Sequence, residues 1–80
     1  MASKKDPLGI SRTTVDSSNI ASLGYDEETR TMVVEFKNKT LYSYHPVQPK
    51  AFDELKNAES IGGHFNQHFR NNDRLTYQKL

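Results

Sequence analysis

The chain has 80 residues, of which 34% are hydrophobic, and a formal net charge of +1. A chain of this length has room for one small hydrophobic core, which argues against a second domain and against a deep enzyme cleft. Cysteine is absent, so disulfide bonds and thiolate chemistry are excluded. The longest aliphatic run covers residues 32–34, whereas a membrane helix needs about 20 apolar residues. The N-terminus has no apolar stretch typical of a signal peptide, and we therefore expect a cytoplasmic protein.

The charges are distributed unevenly along the chain. Residues 1–12 and residues 60–80 each carry +2, whereas residues 13–59 carry −3. Domains that bind nucleic acid are usually more basic than this overall. Any contact with phosphate would therefore depend on a local patch of positive charge.

The N-terminal part of the chain predicts a flexible tail followed by one domain. Residues 1–14 are polar, contain Pro7 and Gly9 and follow neither a strand nor a helix period. We assign the remaining residues, 15–80, to the single domain.

Three segments predict β-strands. Residues 18–25 alternate imperfectly, with Leu23 and Tyr25 on one side, and lead into a turn-like segment at 26–29. Residues 31–36 alternate regularly among β-favouring side chains, and residues 40–44 follow as a third strand.

The length of the loop after the second strand determines which way Tyr42 and Tyr44 face. With a three-residue loop at 37–39, Val34 lies opposite Tyr42, and both tyrosines share the face of the core. With a two-residue loop they turn outward. We favour the three-residue loop because polar Ser43 then points to water, although Lys39 must approach the left-handed region.

Two helices are predicted after the strands. Pro49 suits the first turn of a helix over 49–57, with Phe52 and Leu55 on its apolar stripe. Ser60 is a typical N-cap for a second, short helix. The apolar positions of that helix are four residues apart: Ile61, Phe65 and Phe69. The expected fold is α+β, a three-stranded antiparallel β-meander followed by two short helices packed on one face.

The sequence contains no recognisable catalytic motif. His64 and His68 lie four apart, a spacing that can chelate zinc on a helix, but no acidic residue follows to complete a set of ligands. We therefore expect no enzyme activity, no metal site and no cofactor.

The residues best suited to bind a ligand combine flat rings, amides and positive charge, because bases stack on rings while cations and amides hold phosphates and base edges. The candidates are Lys37, Lys39, Tyr42, Tyr44, His64, Asn66, Arg70 and Arg74. Tyr42 and Tyr44 would be stacking platforms only if they face outward, and the preferred register makes them core residues. Asn66, Arg70 and Arg74 would share a face if the second helix continues through Asn72.

Six short motifs, in order, resemble the KTSC domain. They are the segments 15–20, 24–26, 34–36, 42–44, 58–60 and 65–66, and the similarity spans about residues 12–79. That family takes its name from a segment at the C-terminus of some lysyl-tRNA synthetases and also occurs as free-standing bacterial and phage proteins. Tyr42 and Tyr44 match its Tyr-x-Tyr motif, whereas Lys39 and His64 replace a common glycine and a common aromatic residue. The resemblance implies no established activity, and the attachment to the synthetases suggests RNA binding.

Two classes of function remain open from the sequence. The first is a small non-enzymatic module that binds RNA or another nucleic acid through a local basic and aromatic patch. The alternative is a protein-interaction module, such as a small phage or bacterial regulator that binds a host protein. In both cases we expect a monomer that does not bind membranes.

Overall fold

The structure is a computed structural model that describes residues 4–5, 9–70 and 72–80. It is an α+β fold built on one antiparallel sheet, with the strands in sequence order. The strands are β1 (Lys4–Lys5), β2 (Ser11–Thr14), β3 (Ile20–Asp26), β4 (Thr31–Phe36), β5 (Leu41–His45) and β6 (Thr76–Lys79). The helices are α1 (Pro49–Lys56) and α2 (Ile61–Phe65), and α2 continues directly into a π-helical turn at Asn66–Arg70.

The predicted meander forms the centre of the sheet as β3, β4 and β5. The bounds of β4 agree with the predicted segment, and β5 begins one residue later than predicted. The sheet also contains strands outside this meander, so the predicted number of three strands was too low.

The outer strands β2 and β6 correct two predictions. Residues 11–14, which we assigned to a flexible tail, pair with β3, with Arg12 opposite Gly24. The polar C-terminal residues form β6, which pairs with β5. Most residues of both strands are exposed, so they are held mainly by backbone hydrogen bonds to the sheet, and β2 also by the buried Arg12 side chain. Of the rest of the predicted tail, residues 1–3 and 6–8 lie outside the described residues.

The three-residue loop after β4 is confirmed. Val34 lies opposite Tyr42, and the Phe36 amide donates to the Thr40 carbonyl at 2.9 Å. Lys39 takes a φ of 71°, the left-handed conformation that this loop requires. The face that carries Val34 therefore also carries Tyr42 and Tyr44.

The two helices cover that face of the sheet. Helix α1 buries Leu55 completely, and its Phe52 ring stacks on Tyr25 at 4.8 Å. The Ser60 hydroxyl caps α2 by accepting from the Gly63 amide at 3.2 Å. The three residues spaced four apart, Ile61, Phe65 and Phe69, are all buried. The amphipathic pattern of the helices thus predicted the core correctly.

The opposite face of the sheet is also covered, which overturns the prediction for Ser43. Ser43 is only 9% exposed, because it lies between Val33 on β4 and Gln78 on the unpredicted strand β6. On the same face Arg12 Nη1 lies 2.9 Å from Glu35 Oε1. The Ser22 hydroxyl joins them, accepting from Arg12 at 3.2 Å and donating to Glu35 at 2.9 Å.

None of the helices in the described ranges is long and apolar enough to cross a membrane.

Candidate functional site

A groove of about 690 Å³ opens on the helix-covered face, where the helices leave part of the sheet uncovered. One wall is the strand pair β5–β6, which contributes Tyr42, Tyr44 and Tyr77. The other wall is α2 with its π-helical turn, which contributes Asn66 and Arg70. The loops before β3 and after β4 close one end. The groove therefore joins segments from most of the chain.

The floor and the sheet wall of the groove are aromatic. Phe65 contacts Phe36 edge-on at 5.6 Å and Tyr44 edge-on at 5.4 Å between ring centroids. Tyr77 lies 6.3 Å from Tyr42 and 6.1 Å from Tyr44. Tyr77 is 65% exposed, whereas Tyr44 is only 6% exposed. The aromatic surface therefore runs from the buried ring of Tyr44 at the floor to the exposed ring of Tyr77 at the rim.

The phenol of Tyr44 lies close to the phenols of Tyr42 and Tyr77 and to the charge of Arg70. Burial, and then the neighbouring phenols of Tyr42 and Tyr77, raise the pKa of Tyr44, while the positive charge of Arg70 opposes that rise. The phenol is therefore held neutral and can donate a hydrogen bond to a ligand.

The other end of the groove is lined by amides and hydroxyls. The Asn19 carbonyl accepts from the Lys37 amide at 2.9 Å, which joins the loop before β3 to the loop after β4. Gly62 lets the chain approach here, because an added Cβ would lie 3.3 Å from the Ser17 hydroxyl and 3.6 Å from Asn19 Nδ2. Within the described part of the chain, the side-chain amides of Asn19 and Asn66 form no hydrogen bond.

The charge of the groove is one-sided. Lys37 and Arg70 line it, and none of its lining residues among those described is acidic. A second groove, of about 640 Å³ beside α1, is lined by Lys50 and Lys56 but also by Glu27 and Asp53. Only the first groove therefore has an excess of positive charge.

The structure brings five of the eight predicted ligand-binding residues together in this groove. They are Lys37, Tyr42, Tyr44, Asn66 and Arg70. Tyr42 and Tyr44 lie on the core face of the sheet, as the preferred register predicted, and they also line the groove that opens on that face. The remaining three, Lys39, His64 and Arg74, do not line it.

Arg74 is excluded because the helical segment ends at Arg70. The face that we expected to run from Asn66 through Arg70 to Arg74 is therefore interrupted. The Arg74 amide instead donates to the Asn72 side chain at 2.9 Å in a turn that leads to β6. That part of the prediction was wrong.

The rings of His64 and His68 lie 4.3 Å apart on the outer side of α2 and the π-helical turn. Burial, and then the neighbouring His68, lower the pKa of His64 below its usual 6.5. The described residues contain no cluster of three His, Asp or Glu side chains able to hold a metal ion.

Sequence reasoning missed two residues that shape the groove, Asn19 and Tyr77. Asn19 belongs to the motif segment 15–20, so the resemblance contained a signal for it. Tyr77 offered only its aromatic side chain in a polar segment, because β6 was not predicted as a strand.

Fold and groove together define a class: a small α+β protein with an antiparallel sheet, two helices before its last strand, and a basic aromatic groove between the sheet and the second helix. The chain belongs to the KTSC domain family, whose model matches residues 16–72. A crystal structure of a KTSC domain protein from Yersinia pestis superimposes with a TM-score of 0.82 at 28% identity, covering 89% of this chain and 97% of that one.

Two sequence relatives extend this comparison. A protein of Stutzerimonas stutzeri is 43% identical over 61 residues, which cover 76% of this chain and 86% of that protein. A lysine–tRNA ligase of Nostoc punctiforme is 33% identical over 66 residues, which cover 82% of this chain but only 12% of the ligase. The chain is thus similar to a small part of that enzyme.

Proposed function

We propose that this chain is a non-enzymatic module that binds single-stranded nucleic acid, RNA in particular, in the groove between β5–β6 and α2. The observation that carries the proposal is the combination of exposed tyrosine, two cations and two unbonded amides in one groove whose described lining has no carboxylate.

Each group has a role in the recognition of unpaired nucleotides. Tyr77 and the partly exposed ring of Tyr42 offer flat faces on which bases stack, and Arg70 and Lys37 neutralise phosphates. The Asn19 and Asn66 amides can donate to and accept from base edges, which single strands leave free. A duplex would present none of its base faces to these rings.

One relative also supports RNA binding. The Nostoc relative is a lysine–tRNA ligase, so a segment similar to this chain occurs in a protein whose substrate is an RNA.

Fluorescence anisotropy with labelled single-stranded RNA tests the proposal. Tyr77→Ala should weaken binding by about 1–3 kcal/mol, the loss of one stacked base. Arg70→Gln should weaken binding and reduce its salt dependence, whereas Arg74→Gln, which removes the same charge outside the groove, should change neither by more than about twofold. Equal effects of the two arginine substitutions would place the binding site elsewhere.

A protein partner remains the alternative, and β6 is the feature that favours it. Within the described residues β6 is the last strand of the sheet, and its four side chains are exposed, so its outer edge is open to another strand. A pull-down from bacterial lysate separates the two functions. Nuclease treatment should abolish an RNA-dependent association and leave a direct protein contact unchanged.

A further inference from the structure

We infer that the groove is built for a unit of two nucleotides rather than for a long strand. This inference rests on the nucleic-acid binding proposed above and specifies the size of the ligand. Three features of the groove limit the footprint: its volume, its ring surfaces and its cations.

The volume sets the first limit. About 690 Å³ lies within the range of about 300–1,000 Å³ that is typical of small-molecule sites. The loops at 18–19 and 37–38 close one end of this space. A strand that continues past the groove at that end would leave the ring surfaces behind.

The ring surfaces set the second limit. Tyr42 and Tyr77 are neighbouring rings whose centroids lie 6.3 Å apart and whose planes differ by 56°, so each presents its own face, and Tyr77 stands at the solvent rim. In the described part of the chain Tyr77 is the one large hydrophobic side chain that is exposed. Two bases therefore find a platform each, and a third base finds none.

The cations set the third limit. Arg70 lies at the tyrosine end, where its charge reaches Tyr44, and Lys37 lies beside Asn19 at the amide end. Each can neutralise one phosphate. The second groove in the described part of the chain offers no comparable track of positive charge, because it mixes Lys50 and Lys56 with Glu27 and Asp53.

Titration calorimetry with 5′-phosphorylated oligouridylates of one, two, four and eight nucleotides tests the inference on the full chain. Affinity should rise about 5- to 150-fold from one to two nucleotides, the equivalent of one stacked base at about 1–3 kcal/mol. From two to eight nucleotides it should change only by the statistical factor of added binding positions. The salt dependence of the dinucleotide should have a slope of about −1.4, for two phosphates on a single strand.

Variants of the hairpin loop provide a matched pair. Lys37→Gln should reduce dinucleotide affinity at least fivefold, because it removes the cation for the second phosphate. It should leave mononucleotide affinity within twofold, because Arg70 holds the single phosphate. Lys39→Gln removes the same charge two residues away, outside the groove, and should leave both affinities unchanged. Equal effects of the two substitutions would overturn the assignment of Lys37.

The source of the two nucleotides is tested in a second arm. A hairpin RNA with two unpaired 3′ nucleotides should compete with the free dinucleotide if RNA ends are the ligand, and should fail to compete if only the free compound enters. Affinity that rises beyond two nucleotides by more than the statistical factor, or a mononucleotide that binds as tightly as the dinucleotide, would overturn the inference while preserving nucleic-acid binding. No binding at any length would refute the proposed function itself.

Discussion

Replacement of Gly24 by alanine tests the packing of β2 against the sheet. Without a clash, alanine in a strand would stabilise the protein by about 0.5–1 kcal/mol relative to glycine. Here its Cβ would lie 2.6 Å from the Ser11 carbonyl oxygen and 2.9 Å from Arg12 Cγ. Because the nearest atom is backbone, we expect a steric cost at the upper end of the usual range for overpacking, about 3 kcal/mol. The net loss of stability should then be about 2 kcal/mol.

A thermal unfolding curve followed by circular dichroism measures this loss. For a domain of this size, about 2 kcal/mol corresponds to a Tm lower by about 8–16 °C. Hydrogen exchange should show the loss first in the amides of β2. Gly63→Ala is the comparison, because the nearest atom there is the Ser60 hydroxyl at 3.0 Å, and if that side chain rotates the loss should be limited to the N-cap hydrogen bond, about 1 kcal/mol. A Gly24→Ala protein with a Tm equal to or above that of the parent would refute the reasoning.

Three further substitutions test the core, the pH dependence and the buried ion pair. Phe65→Ala should cost about 3–5 kcal/mol in urea unfolding, and Phe65→Leu clearly less; a sharp transition near the parent midpoint in the alanine variant would contradict its place in the core. Because folding lowers the pKa of His64 below 6.5, the unfolded chain binds more protons below that pH. Stability should thus fall as the pH drops through 6.5 and level off below the pKa of His64 in the folded protein. His64→Gln should flatten this pH dependence of the Tm. An unchanged pH profile in that variant would exclude His64 as the source of the dependence. Glu35→Gln should cost about 3 kcal/mol of stability because it leaves the Arg12 charge buried without its partner. Changing Glu35 to leucine and Arg12 to methionine together should recover most of that stability. A double variant as unstable as the single one would show that the unpaired charge is not the cause.

The central part of the fold was predictable because its signals are local. The alternation over residues 31–36 and the length of the following loop together fix which face Tyr42 occupies. Ser60 and the apolar spacing of four identified α2 and its buried side. Strands β2 and β6 were not predictable in this way. The residues of β2 are polar on both faces, and β6 is held by pairing with β5, which is distant in sequence.

The same distinction applies to the groove. Asn66 and Arg70 were found because both lie on one short helical segment, whereas Arg74 was placed wrongly because the end of that segment was not recognised. Tyr77 was missed since only its pairing opposite Tyr44 places it at the rim. Residues whose role depends on a long-range contact are hidden from a reading of local pattern.

The rim residue Tyr77 lies in a part of the chain that the family model does not match. The family match ends at residue 72, so the strand that supplies the rim ring lies beyond the matched region, while the opposite wall and the floor lie within it. Substitutions in β6 can therefore alter what the groove accepts without disturbing the helices or the meander. Of the four residues of β6, only Tyr77 lines the groove, so a change at this one exposed position would reshape the rim while the rest of the scaffold stays the same.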